Sequence, residues 1–215
     1  MDEAYNVRQG FLNFDGYDKV REQLPVSLRP LFVCAFHVST RKGELLKIKW
    51  SQVEDKRIIL SPFDTKNKAG RALPIYGDMI EVLEEQKRIR DEQYPECEYV
   101  FFWRAEDLML SHGGLRTAAG MPIIDFKASW KNAVTAAGFP NLLFHDLRRT
   151  AERNMTKAGI DQARRMKISG HKTASMSVRY NIIAGEDVDE DGARMNVWFQ
   201  EQKKANKAPQ KKKAS

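Results

Sequence analysis

Residues 144–180 read FHDLRRTAERNMTKAGIDQARRMKISGHKTASMSVRY, and the rest of the chain is organised around them. Leu147, Ala151, Met155 and Ala158 recur at helical spacing. That periodicity predicts a helix from about Asp146, stopped by Gly159 in the left-handed conformation. His145 and Arg148 are three residues apart and share one face of it. Asp161 is placed to cap a second short helix through Ile168. Gly170 breaks that helix and presents His171. Thr173 is a candidate cap for a third helix carrying Tyr180. Three short helices would then bring two imidazoles, a guanidinium and a phenol towards one place.

Such a set suits phosphoryl transfer with a tyrosine nucleophile. A phenol has a pKa of about 10, so Tyr180 must give up a proton as it reacts. A guanidinium fork matches the non-bridging oxygens of a phosphodiester. Imidazoles can donate to the same oxygens or move protons near neutral pH.

Upstream, residues 27–38 (SLRPLFVCAFHV) form the most apolar stretch and predict a buried helix. After Ser39-Thr40, residues 41–50 (RKGELLKIKW) read as another helix, with Leu45, Leu46 and Ile48 inward. It carries Arg41 and Glu44 as R-x-x-E, which on an isolated helix is also the spacing of an ordinary surface ion pair, worth a few tenths of a kcal/mol. Residues 57–60 and 71–76 are strand-like, and the connection SPFDTKNKAG predicts a hairpin bearing Lys66 and Lys68. Loop lysines are ordinarily just solvated.

These residues resemble the tyrosine recombinase (phage integrase) family: R-x-x-E, a hairpin lysine before a V/L-P pair, H-x-x-R, G-H, then Tyr. Ser39 stands where the family usually has glycine. The resemblance covers roughly residues 10–200. It implies a catalytic domain that is mainly α with a small antiparallel sheet. It also implies that Arg41 and Arg148 hold the non-bridging oxygens of a scissile phosphate, with His171 a further donor. Tyr180 would attack phosphorus and form a 3′-phosphotyrosyl link, His145 accepting its proton. Counting back from Pro74 selects Lys66 to protonate the departing 5′ oxygen, with Lys68 the competitor in a loop of variable length. Glu44 would orient the site.

The implied partner is double-stranded DNA, held by a homo-oligomer, a tetramer, or by a monomer when alone. No cofactor, metal or ATP is implied, and the expected setting is the cytoplasm of a bacterium. Three other readings share part of the pattern. They are a type IB topoisomerase, a non-catalytic DNA-binding protein on the same fold, and a metal-dependent nuclease. The last lacks a spaced carboxylate cluster.

Composition bounds the rest. The chain has 215 residues, 42% of them hydrophobic, enough for a real core. Cys34 and Cys97 show no paired spacing and read as thiols in a reducing compartment. No apolar run approaches membrane-spanning length, and no signal peptide is evident. The formal charge is +7, but six lysines lie between Lys203 and the end with no acid among them, so the body is nearly neutral. The expected divisions are an arm or linker over 1–14, a catalytic domain over 15–203 and a basic tail over 204–215. The family's N-terminal DNA-clamping domain has no counterpart here, which predicts a catalytic fragment or a natural short form. Elsewhere the sequence predicts a helix capped by Asp15 and a charged helix over 78–93 with Met79, Ile80, Leu83 and Ile89 inward. It also predicts an irregular stretch over 104–124 containing His112, and helices over 125–137 and 192–203.

Overall fold

The computed structural model describes residues 10–65, 68–109, 118–171, 173, 192 and 195–197. It divides into two compact units, Met1–Tyr180 and Asn181–Ser215. In the second unit, residues 192 and 195–197 are helical. All further description concerns the first.

Helix α1 (Phe14–Gln23) is capped by Asn13, whose Oδ1 accepts from the Gly16 amide at 2.8 Å. The expected cap, Asp15, sits instead in the first turn and pairs with exposed Lys19. Both are good caps, and with Asn13 as the cap Gly16 lies in the first turn against the core. A Cβ there would lie 2.5 Å from Leu12 and 2.8 Å from Phe139. A 3₁₀ turn (Val26–Leu28) leads into α2 (Arg29–His37), with Pro30 in its first turn, where its missing N–H costs nothing. Residues 30–36 of α2 are all buried, so this helix is apolar all round and forms the centre of the core.

The helix expected over residues 41–50 is cut to one turn, α3 (Lys42–Leu45). Beyond it the backbone pairs with a distant segment: the Val100 amide donates to Ile48 O, and the Trp50 amide to Glu98 O, both at 2.9 Å. Leu45 and Ile48 are buried as expected, so the apolar pattern survives while its period changes. Strands β1 (Arg57–Leu60) and β2 (Arg71–Pro74) form the antiparallel hairpin, with Leu60 opposite Arg71.

Helix α4 (Asp78–Gln93) has the expected bounds, but Ile80 is half exposed and Gln86 lies inside, donating to Val100 O at 2.9 Å. The run from Val100 to Phe102 is buried coil held by isolated bridges. Helix α5 (Ala105–Met109) lies in the stretch expected to be irregular, and His112 falls outside the described residues. Asp107 explains the order there, accepting from the Val26 and Ser27 amides. Helices α6 (Lys127–Ala136), α7 (Asp146–Lys157) and α8 (Gln162–Ser169) complete the unit. Helix α2 packs on α4 and α7, and α8 packs on both α7 and β2. Among the described residues the result is mainly α with one two-stranded antiparallel sheet. Among the described residues no helix is long and apolar enough to cross a membrane.

Candidate active site

The site begins at the turn between α2 and α3. Arg41 caps α3, and Glu44 sits at its third position in a capping box. Glu44 Oε2 accepts from the Thr40 hydroxyl at 2.9 Å and the Arg41 amide at 3.2 Å. Its Oε1 accepts from Arg41 Nη1 at 3.0 Å. A fourth partner comes from the hairpin: Arg71 Nη2 donates to Glu44 Oε2, and to Thr40 Oγ1 at 2.7 Å. Burial alone would raise the Glu44 carboxyl. The Arg71 guanidinium, the Thr40 hydroxyl and the Arg41 amide outweigh it and hold the pKa down to about 2. Glu44 is therefore an anion at any ordinary pH.

Arg71 was not singled out from the sequence, although a signal for it exists. Side chains alternate along a strand, so Arg71 shares a face with Leu73, which is fully buried. An arginine on an inward face must find a carboxylate.

The second half is built by α7 and α8. Arg148 is buried on α7, and its Nη2 donates to Ser169 O, the last carbonyl of α8, at 2.9 Å. His145, just before α7, is more exposed. Burial and then the charge of Arg148 depress its pKa, so it is neutral at pH 7 and able to accept a proton. Asp161 caps α8 as expected, its Oδ1 accepting from the Arg164 amide at 3.0 Å. Gly170 ends α8 at φ 71°, in the left-handed region. The turn it makes brings in His171, buried, with Nδ1 3.0 Å from Ser169 Oγ and 3.5 Å from Glu152 Oε1. Burial, then Arg148, Arg41 and Arg71, push the His171 pKa down to about 4.

Arg41, Glu44, His145, Arg148 and His171 are thus brought to one place, with Arg71 among them. Arg41 acts on the charge of both histidines. An open groove of about 750 Å³ runs between hairpin and α8, lined in part by Gly70, Arg71, Ala72, Met166 and His171. Lys66 and Tyr180 lie outside the described residues. Lys68 is exposed at φ 52°. Among the described residues no group of three or more His, Cys, Asp or Glu is placed to hold a metal ion. Arg71 and His171 line this groove, and guanidiniums gathered with neutral imidazoles make a site for an anionic oxygen cluster.

Comparison with known proteins gives the family and the fold. A Haemophilus influenzae protein described as an integrase/recombinase is 29% identical over 180 residues, covering 81% of this chain. The chain spans only 42% of that relative's length. The solved structure of XerA recombinase superposes with a TM-score of 0.67 at 16% identity, over 88% of this chain and 65% of that one. A lambda integrase tetramer bound to a Holliday junction gives a TM-score of 0.57 at 20% identity, over 82% and 49% of the two chains. Residues 12–187 match the phage integrase family over most of the sequence, and the chain belongs to it.

Proposed function

We propose that this chain cleaves and rejoins DNA strands at specific sites through a 3′-phosphotyrosyl intermediate. The observation that carries the reading is that Arg41 and Arg148, from two separate segments, both bear on the charge of His171, which comes from a third and lines the groove. Arg41 and Arg148 hold the non-bridging oxygens, and His171 donates a further hydrogen bond. Both arginines are already oriented by protein acceptors, Glu44 Oε1 and Ser169 O, so little reorganisation is left for the reaction. Tyr180 Oη attacks phosphorus and its proton passes to His145. The P–O5′ bond breaks and the 5′ oxygen takes a proton from Lys66. One phosphoester replaces another, so rejoining needs no ATP. The partner is double-stranded DNA. The working form on it is a homo-oligomer, as the tetrameric lambda integrase complex illustrates for a protein of this fold.

The test is covalent trapping on a nicked suicide duplex. The wild-type chain should give a gel-stable adduct, and Tyr180→Phe none, with DNA affinity little changed because only the nucleophilic oxygen is lost. An adduct in the phenylalanine variant would assign the attack to another residue.

A further inference from the structure

Arg71 touches both halves of the site. Its side chain is 5% exposed, as is that of Glu44, with which it pairs. On one side it bridges Thr40 and Glu44. Glu44 in turn holds Arg41 through its other oxygen, so the order is Arg71, Glu44, Arg41. On the other side its guanidinium lies against the Gly170 backbone. A Cβ on Gly170 would be 3.0 Å from Arg71 Nη1 and 3.2 Å from Cζ. The next residue is His171. Arg71 also opens β2, so the loop that carries Lys66 begins its return at a residue anchored to the site.

We propose that Arg71 is a positioning residue: it fixes Arg41 through Glu44 and fixes His171 through Gly170, so that two of the three phosphate ligands depend on one guanidinium. This rests on the reading of Arg41 and His171 as phosphate ligands. The planar fork is what the task needs. One nitrogen serves two acceptors while the rest of the guanidinium lies close to Gly170, and a lysine cannot do both.

Two measurements test it. The first is single-turnover cleavage of suicide duplexes bearing an ordinary scissile phosphate or a methylphosphonate, in which one charged oxygen is replaced by a methyl group. Arg71→Lys and Arg71→Met should both slow cleavage of the ordinary duplex by roughly tenfold to a hundredfold, the usual cost of losing an orienting partner at a metal site. On the methylphosphonate most of that loss should vanish, because less charge is left for Arg41 to hold. Equal losses on both substrates would mean that Arg71 only supports the fold, and would overturn the proposal.

The second is the titration of the His171 ring followed by NMR in the free protein. Groups bearing on that ring are Arg41, Arg71, Arg148, Glu152 and Ser169. Arg71→Met should raise its midpoint above about 4, with burial, Arg148 and Arg41 still holding it below the ordinary imidazole value, while Arg71→Lys, which keeps the charge, should leave it low. An unmoved midpoint in the methionine variant overturns the proposal whether or not the protein cleaves DNA. No adduct from wild-type protein would instead defeat the recombinase reading and leave this readout standing. If Arg71→Met does not fold, pairing it with Glu44→Gln removes the uncompensated buried charge and carries the same titration.

Discussion

Glu44 and Glu152 are both buried carboxylates, and their surroundings treat them in opposite ways. Glu44 accepts from Thr40, from the Arg41 amide and from two guanidiniums. Its pKa falls to about 2. Glu152, on α7, is fully buried, faces the Ser169 and Ser39 hydroxyls, and has its charged neighbour Arg165 no nearer than 3.9 Å. Burial dominates there and its pKa rises. The hydroxyls that separate the two cases belong to adjacent residues, Ser39 and Thr40, on one buried turn. A buried charge is stable where its lone pairs are filled at short range, and is a liability where they are not.

The largest expected effect tests the well-satisfied member. Glu44→Ala leaves Arg71 buried without its anion and should cost about 3–5 kcal/mol in urea unfolding, the usual result of breaking a buried pair. A cost below about 1 kcal/mol, typical of an exposed pair, would erase the contrast.

Gly170 offers a finer test of how rigidly that cluster is held. Gly138 and Gly170 both have positive φ, at 87° and 71°, but a Cβ on Gly138 meets nothing within 4 Å. Gly138→Ala should cost about 1–2 kcal/mol from backbone strain alone. Gly170→Ala should cost distinctly more in a parallel melt, because Arg71 is wedged and cannot give way. Equal costs would mean the guanidinium is loosely seated.

Glu152→Gln should be nearly neutral at pH 7, within about 1 kcal/mol, since it removes a charge that burial disfavours. Replacing the pair by Glu152→Leu with Arg165→Met should be neutral or stabilising. A cost from Glu152→Gln comparable to that of Glu44→Ala would break the comparison.

Acid separates the two by sign. Glu44, with its pKa depressed, contributes stability that is complete above about pH 4.3 and lost as pH falls towards 2. Glu152, with its pKa raised, contributes stability below the ordinary carboxylate value that is lost as pH rises through its folded pKa. His171, depressed to about 4, adds stability above about pH 6.5 that disappears as pH falls through 4. Urea midpoints taken from pH 7 down to 2.5 should therefore show the gap between wild type and Glu44→Gln narrowing. The gap to Glu152→Gln should move in favour of wild type. Parallel curves for the two variants would contradict the assignment.

Local chemistry was legible in the sequence where the partner lies within a turn, although at α1 the cap is Asn13 and not the expected Asp15. Asp161 and Gly170 bound α8 as read, and Gly159 follows α7 at φ 76°. The expected helix over residues 41–50 failed because its second half pairs with residues 98–100, a contact that no local period announces. Arg41, Glu44, His145, Arg148 and His171 were found through their motif spacings. Arg71 and Glu152 belong to no such spacing. Arg71 meets Glu44 and Gly170, and Glu152 meets Arg165 and His171, only once the hairpin, α7 and α8 have packed. The alternation of Arg71 with Leu73 was the one hint on offer.

The seating of Arg71 also bears on when the protein becomes competent after synthesis. Its partners lie 27 residues upstream, at Glu44, and about a hundred downstream, at Gly170. Loop closure over such spans comes at the expense of chain entropy and is slow relative to helix formation. In a refolding time course, helical signal should therefore recover well before the ability to form an adduct, and a chain arrested between the two would carry every side chain of the pocket with no pocket.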